Sequence, residues 1–199
     1  MPGIDHLTIL ESRHWHWPDE VACAATAARL AALPLATEFI ELNGPLGAGK
    51  TTFVRHLLHA LGVHGHVKSP TYALMEPYDV ERDGAPLALW HFDFYRFDDP
   101  NEWEDAGFRD IFASPGVKLV EWPDKAGDLL PVPDLRITIE PGDGERRTVR
   151  ADALSAAGVG LLKGVDASPV GAAPEVAGAH TGVADADAVV PPRTGVETA

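Results

Sequence analysis

The sequence has little cysteine, little positive charge and no long apolar run, and each shortage excludes a class of protein. Cys23 is the only cysteine among the 199 residues, so no internal disulfide can form and a reducing compartment is the simpler interpretation. Sixteen Lys and Arg residues stand against thirty Asp and Glu residues, a formal net charge of -14. That charge has the wrong sign for a protein that grips nucleic-acid phosphates by itself, so we expect no binding to DNA and contact with RNA only through a partner.

The sequence also lacks a targeting signal and a membrane-spanning segment. Residues 1–6 contain no basic region followed by a long apolar stretch, which a secretory signal would need. No stretch elsewhere is long and apolar enough to cross a bilayer. A hydrophobic content of 45% still supports one substantial buried core. We therefore expect a globular cytoplasmic protein that makes no contact with membranes.

A glycine-rich motif dominates what the sequence does contain. Residues 44–52 read GPLGAGKTT and match the phosphate-binding pattern G-x-x-x-x-G-K-[ST]. The apolar segment 39–42 predicts a short buried strand before the motif, and residues 53–61 have helical spacing that ends at Gly62. A glycine turn that closes a helix is the alternative. The order of strand, glycine loop and helix favours a P-loop.

The motif predicts how this segment would hold a nucleotide. Glycines let the loop curl so that backbone N–H groups point at phosphate oxygens, and the following helix adds its N-terminal partial charge. Lys50 would supply positive charge to the β- and γ-phosphates, and the Thr51 hydroxyl would coordinate Mg²⁺. The predicted nucleotide-binding residues of this segment are Gly44, Leu46, Gly47, Ala48, Gly49, Lys50, Thr51 and Thr52.

Three polar residues follow at positions where a P-loop protein would use them. Thr71, in a Ser-Pro-Thr turn, either senses the γ-phosphate and its metal or caps the next strand. Asp93 ends an apolar strand, as a metal-binding Walker-B acid does, but many ordinary strands end in the same way. Glu121 ends another strand and either polarises the attacking water or forms a surface ion pair. The residues alone leave both interpretations of each position open.

The remaining segments predict an α/β domain followed by a tail. Besides 39–42, the predicted strands are 6–10, 72–78, 86–93, 117–123, 135–140 and 146–150, and besides 53–61 the predicted helices are 21–33, 98–107 and 154–163. Residues 12–18 are expected to form a polar and aromatic connection, and an Asp-Gly turn at 83–84 predicts a β-hairpin. The composition changes at residue 165, so we expect one domain over 1–165 and a disordered Ala/Gly/Pro-rich tail over 166–199.

Four motifs occur together in this chain in a characteristic order and spacing. They are the P-loop, Ser69-Pro70-Thr71-Tyr72, His91-Phe92-Asp93-Phe94-Tyr95-Arg96 and Glu121-Trp122-Pro123. In these motifs the chain closely resembles the TsaE family, also called YjeE, from about Thr8 to Lys163. Tyr72 is a mild departure, because the family often has Phe at this position. The resemblance implies a three-layer P-loop NTPase fold with a mixed sheet, in which parallel strands are combined with an antiparallel hairpin.

The resemblance also implies a function. The family members are bacterial Mg²⁺-dependent ATPases that work with TsaD and TsaB to form threonylcarbamoyladenosine, the modified base beside the tRNA anticodon. By that similarity, the partners act on tRNA, while ATP binding and hydrolysis to ADP drive or reset their cycle. The match assigns phosphate binding to Lys50 and the loop, and metal binding to Thr51 and Asp93. It assigns a switch role to Thr71 and a catalytic or water-orienting role to Glu121. It makes Trp122 a neighbour of the nucleotide.

Three other functions fit parts of the sequence. A small-molecule kinase would share the P-loop and the acids at the strand ends, but no Arg-rich lid lies between residues 123 and 135. A GTP-dependent switch would need an Asn/Thr-Lys-x-Asp element to read its base, and the chain has none, which favours adenine. A non-catalytic scaffold that binds nucleotide would carry the same residues as a slow ATPase, so the sequence leaves this alternative open.

Overall fold

The computed structural model describes residues 8–167, and strands and helices alternate along most of this part of the chain. The strands are β1 (Glu11–Trp17), β2 (Phe39–Asn43), β3 (Met75–Arg82), β4 (Ala85–Asp93), β5 (Val117–Glu121), β6 (Leu135–Pro141) and β7 (Arg147–Ala153). The α-helices are α1 (Glu20–Ala31), α2 (Lys50–Ala60), α3 (Pro100–Asp105), α4 (Phe108–Ala113) and α5 (Ala156–Ala167). This alternation is typical of an α/β fold.

All of these strands belong to one mixed sheet in the order β1-β7-β6-β2-β5-β4-β3. The four central strands, β6, β2, β5 and β4, run parallel to one another. At one edge β3 is antiparallel to β4, and at the other edge β7 and β1 continue the sheet in antiparallel pairs. The predicted α/β fold with a mixed sheet is therefore confirmed.

Apolar side chains cover both faces of the sheet and make three layers. Successive strand residues point to opposite faces, so Leu119 belongs to the apolar cluster that includes residues of α1, α2 and α5, whereas Val120 belongs to the cluster that includes residues of α3 and α4. The second cluster is rich in aromatic rings, including Phe92 and Phe94 from the β4 segment and Trp103 from α3. Among the helices of residues 8–167, none has the length and apolar character needed to cross a membrane.

The structure corrects the prediction at the first edge of the sheet. Residues 8–10 form no strand, and residues 6 and 7 of the predicted strand lie outside the described residues. The segment predicted as a connection instead forms β1, which pairs along its whole length with β7. Its residues alternate across the sheet: Trp17 is buried and stacks on Phe53 at 5.5 Å, whereas His16 is exposed. This two-residue period marks the segment as a strand.

The other predicted elements are present with shifted ends. Residues 72–74 form a turn in which Leu74 has a φ of +62°, so β3 begins three residues later than predicted. Helix α4 was not predicted, and it follows Gly107, which has a φ of +67° at the end of α3. Helix α5 continues to Ala167 and so includes the first two residues of the expected tail. The rest of that tail, 168–199, lies outside the described residues.

The P-loop and two acidic residues lie together at the carboxyl ends of the parallel strands. The P-loop follows β2, Asp93 is the last residue of β4, and Glu121 is the last residue of β5. Asp93 and Glu121 are direct partners in the β4–β5 register, and Leu42 of β2 is the partner of Glu121 on its other side. Ligands of open α/β sheets bind outside the carboxyl ends of the parallel strands, which is where these groups lie.

Candidate active site

The P-loop connects β2 to α2 in a tight backbone path that depends on glycine. Gly44 has a φ of +140°, and a Cβ atom at this position would lie 2.3 Å from the carbonyl oxygen of Ile139 in β6. Gly47 has a φ of +78° in the middle of the loop. Glycine adopts such angles without the strain that a side chain would introduce. The loop can therefore lie against β6 and still bring its backbone to the start of α2, the end of a helix that attracts anions.

A cavity of about 300 Å³ lies between the P-loop and the ends of β4 and β5. Its walls come from the loop, the first turn of α2, the Ser-Pro-Thr segment and the two strand ends. The lining residues are Leu46, Gly47, Ala48, Gly49, Lys50, Thr51, Thr52, Ser69, Thr71, Asp93, Tyr95, Glu121 and Trp122. Every predicted site residue except Gly44 is among them. The structure thus brings together candidates that are far apart in the sequence, and their individual roles stay predictions.

Lys50 makes three contacts inside this cavity. Its ammonium group donates hydrogen bonds to the carbonyl oxygens of Gly44 at 2.7 Å and Pro45 at 2.9 Å, and it lies 3.7 Å from the centre of the Trp122 ring. Burial lowers the pKa of Lys50, and the nearby carboxylate of Glu121 acts in the opposite direction. Two carbonyl acceptors and an aromatic face all interact favourably with a cation. The lysine is therefore held as a positive charge beside the loop.

Asp93 is buried at the end of β4, and both of its carboxylate oxygens accept hydrogen bonds. The hydroxyl groups of Ser69 and Thr71 donate to Oδ2, the latter at 2.8 Å, and the backbone N–H of Tyr95 donates to Oδ1 at 2.9 Å. The two hydroxyl oxygens are themselves 2.7 Å apart. This network ties the Ser-Pro-Thr segment directly to the acid that was predicted to bind the metal.

Glu121 is only 2% exposed and is held at both carboxylate oxygens. The hydroxyl of Thr51 donates to Oε2 at 2.9 Å, and Nε2 of His91 lies 2.8 Å from Oε1. A surface ion pair, one of the two interpretations of Glu121 that the sequence allowed, is therefore wrong. The contact with Thr51 instead places this carboxylate next to the hydroxyl that was predicted to bind Mg²⁺.

The aromatic residues around the cavity have distinct positions. Trp122 comes directly after β5 with a φ of +58°, which is unusual for a bulky residue, and this turn places its ring over Lys50. The Tyr95 ring packs beside it, with 5.0 Å between the ring centres. The guanidinium of Arg96 lies 4.5 Å from the centre of the Tyr72 ring, which is 84% exposed. Tyr95 thus belongs to the cavity wall, whereas Arg96 stacks on an exposed ring beside it.

Sequence reasoning missed two residues that contact the buried acids, Ser69 and His91. A weak signal exists for each of them. Ser69 comes two positions before Thr71, so a turn that presents one hydroxyl can present the other. His91 comes two positions before Asp93 in a strand, and residues two apart share a face of the sheet. The polar pair His91 and Asp93 continues a row that is otherwise apolar.

The oxygen atoms in the cavity suit Mg²⁺. This ion prefers hard oxygen ligands, and with a nucleotide it usually takes one or two protein ligands and fills its other positions with water and phosphate oxygens. The Thr51 hydroxyl and the Asp93 carboxylate line the same cavity. Both side chains are tied to other groups of the site, Thr51 to Glu121 and Asp93 to the Ser-Pro-Thr segment. The donor set therefore fits a magnesium ion that arrives with a nucleotide.

A second cavity, of about 210 Å³, lies on the side of the P-loop that faces β1 and β7. It shares Ala48, Gly49 and Thr52 with the first cavity. Arg147 closes part of its wall and donates a hydrogen bond to the carbonyl oxygen of Ala48 at 2.9 Å. Cys23 also lines this cavity, and burial raises the pKa of its thiol to about 12. The P-loop thus has a cavity on each side.

The mixed sheet and the glycine loop between β2 and α2 define a P-loop protein of the α/β class. A family model described as threonylcarbamoyl adenosine biosynthesis protein TsaE matches residues 17–149. The chain therefore belongs to the TsaE family. The family predicted from the four motifs is confirmed.

Individual relatives agree with this assignment. The chain is 40% identical over 142 residues to the tRNA threonylcarbamoyladenosine biosynthesis protein TsaE of Haemophilus influenzae, a match that covers 69% of this chain and 87% of that protein. It is 38% identical over 133 residues to the protein of the same name from Bacillus subtilis, with coverages of 66% and 80%. A crystal structure of Bacillus subtilis YdiB matches with a TM-score of 0.63 and 27% identity over 80% of this chain and 97% of that chain.

Proposed function

We propose that this protein is a cytoplasmic Mg²⁺-dependent ATPase that acts with TsaD and TsaB in forming threonylcarbamoyladenosine in tRNA. The pathway is suggested by the name that its relatives carry. The observation that carries the ATPase activity is the meeting of Lys50, Asp93 and Glu121 around one cavity beside a P-loop. The net charge of -14 supports contact with tRNA only through the partner proteins.

The two cavities suggest how ATP or ADP lies across the loop. The phosphates belong in the first cavity, where the loop backbone, Lys50 and the start of α2 supply positive charge. The nucleoside extends toward the second cavity, past Thr52, which lines both spaces. This placement lets the protein bind ATP and ADP through the same residues and distinguish them at the γ-phosphate end.

Each polar side chain of the first cavity then has a task. Lys50 holds the β- and γ-phosphates, and Thr51 together with Asp93 would hold Mg²⁺. Bound there, this ion would supply positive charge that stabilises the phosphoryl group during transfer. Glu121 orients a water molecule for in-line attack on the γ-phosphate and accepts its proton. Thr71, whose hydroxyl donates a hydrogen bond to Asp93, makes the Ser-Pro-Thr segment sensitive to whether ATP or ADP is bound.

The test is Mg²⁺-dependent ATP hydrolysis by the full chain, alone and with TsaD, TsaB and substrate tRNA. We expect the partners to stimulate hydrolysis strongly and Lys50→Ala to abolish it. Lys163→Ala, which makes the same substitution on the exposed face of α5, is the matched control and should leave the rate unchanged. Negligible hydrolysis in both conditions would refute the ATPase and favour a kinase with an unidentified acceptor or a nucleotide-binding scaffold.

A further inference from the structure

The proposed reaction leaves one fully buried titratable side chain next to the site unused, that of His91. It is 0% exposed and lies in β4 two residues before Asp93. Residues two apart in a strand share a face, so His91 follows Leu87 and Leu89, which belong to the apolar core. An imidazole thus follows two leucines on the same face of β4, one position on that face before Asp93, which lines the cavity.

The proposed reaction gives the hydrogen bond between His91 and Glu121 a direction. Nε2 of His91 lies 2.8 Å from Oε1 of Glu121, and Glu121 must begin the reaction as a carboxylate, which can only accept, so Nε2 carries the proton and donates. Nδ1 is buried and has no hydrogen-bond partner among the residues that the structure describes. Burying a polar atom without a partner costs stability, which an apolar residue at this position would avoid. An apolar residue would, however, leave Oε1 of the buried Glu121 carboxylate without its donor, so the histidine is explained by what it supplies to Glu121.

The contacts of Glu121 show what the histidine can do. One carboxylate oxygen accepts from His91 and the other accepts from the Thr51 hydroxyl. In the proposed function, Thr51 turns its oxygen to the metal, so its contact with Glu121 weakens when nucleotide binds. His91 itself does not line the cavity, so a nucleotide there does not compete for its Nε2. His91 can therefore hold the carboxylate in place throughout the reaction.

We propose that His91 is a positioning residue, which fixes the Glu121 carboxylate so that its Oε2 atom faces the attacking water. This inference rests on the proposed ATPase function. His91 acts only through Glu121 and touches neither nucleotide nor metal. Its loss should therefore lower turnover and leave nucleotide affinity unchanged, which a general loss of packing would not do.

The test compares two substitutions in the full chain, with TsaD, TsaB and tRNA present. His91→Leu replaces the imidazole with an apolar side chain of similar size and removes the donor. It should lower kcat by about ten- to a hundredfold, the usual cost of losing a group that orients a catalytic residue, with KM for ATP within about twofold of the original. His91→Gln places an amide N–H near the position of Nε2 and should recover most of the lost rate.

Two controls separate positioning from structure. His59→Leu removes a histidine contact at the surface, where His59 Nε2 lies 3.1 Å from the carbonyl oxygen of Gly65, and should change neither kcat nor KM. In a Glu121→Gln background, His91→Leu should change kcat by less than about twofold, because the two residues act as one unit. If His91→Leu does not fold, His91→Gln is compared with His91→Asn, whose shorter amide cannot reach Glu121 and should be slow.

Three results would overturn the inference. They are an unchanged kcat in His91→Leu, a parallel loss of kcat and affinity, and a Gln variant no faster than the Leu or Asn variant. These results are distinct from failure of the proposed function. If the unsubstituted protein with its partners hydrolyses no ATP, the proposed function itself is refuted and this inference falls with it. If that protein hydrolyses ATP and only the histidine variants depart from expectation, the role of His91 alone is refuted.

Discussion

Replacing Gly44 with alanine tests whether the P-loop has a single allowed backbone path. Gly44 has a φ of +140°, outside the region that residues with side chains normally occupy. The new Cβ atom would lie 2.3 Å from the carbonyl oxygen of Ile139 and 3.1 Å from the Cβ of Ala48. The Ile139 oxygen belongs to the backbone of β6, which is hydrogen-bonded to strands on both sides. It cannot rotate away as a side chain can, so the loop has to move.

The size of the effect follows from two costs. A residue with a side chain in such a backbone conformation costs about 1–3 kcal/mol. Forcing an extra methyl group into a packed region costs about 1–3 kcal/mol more. We therefore expect Gly44→Ala to lower the free energy of unfolding by about 2–6 kcal/mol, out of the roughly 5–15 kcal/mol that a domain usually has. Because the loop N–H groups move as well, nucleotide affinity should fall at least about tenfold.

Gly47→Ala is the matched control for the steric part of this estimate. Gly47 has a φ of +78°, but a Cβ atom there would meet no heavy atom within 4 Å. It should show only the conformational cost, about 1–3 kcal/mol. Urea unfolding gives the free energies, and titration with ADP gives the affinities. Equal free energies of unfolding for the two variants, or an unchanged ADP affinity in Gly44→Ala, would refute the reasoning.

Three further predictions concern single side chains. Glu121→Gln should keep ATP affinity within about twofold and lower turnover at least about a hundredfold, as expected for loss of a general base; turnover at the full rate would show that another group activates the water. Because the Lys50 ammonium lies 3.7 Å from the Trp122 ring, nucleotide binding should change the fluorescence of Trp122, and the change should vanish in Trp122→Phe. An unchanged emission at saturating nucleotide would contradict this. Burial raises the pKa of Cys23 to about 12, so at pH 8 its thiol should react with a disulfide reagent at least about a hundredfold more slowly than in urea. Equal rates in the folded and unfolded protein would show that the thiol is accessible.

The P-loop end of the site was predictable because the information is local. The pattern spans residues 44–52; β2 ends directly before it, and α2 begins inside it at Lys50. Asp93 and Glu121 were also identifiable, because each is a polar residue at the end of an apolar strand. The N-terminal edge was predicted wrongly because residues 11–17 mix aromatic and polar residues in a period of two that is short and has few apolar members.

The contacts between the acids and their donors depend on register, which the sequence does not specify here. Every residue of β5 is buried, so its side chains show no alternation between an apolar and a polar face. A shift of one residue between β4 and β5 would send Glu121 to the opposite face of the sheet. In the observed pairing, Asp93 lies opposite Glu121, and His91 is within hydrogen-bonding distance of the second acid.

The same register explains why the threonines predicted to act on the nucleotide are the ones that donate hydrogen bonds to Asp93 and Glu121. Two buried carboxylates side by side repel each other, and each needs hydrogen-bond donors to remain in the fold. Asp93 takes its side-chain donors from Ser69 and Thr71, and Glu121 takes one from Thr51. The two threonines are the ones predicted to bind metal and sense the γ-phosphate. If those predicted roles hold, a nucleotide with its cation replaces hydrogen bonds that already stabilise the acids, and the affinity of the site is the difference between the two sets of contacts. The proposed switch role of Thr71 then requires this exchange before the Ser-Pro-Thr segment can move.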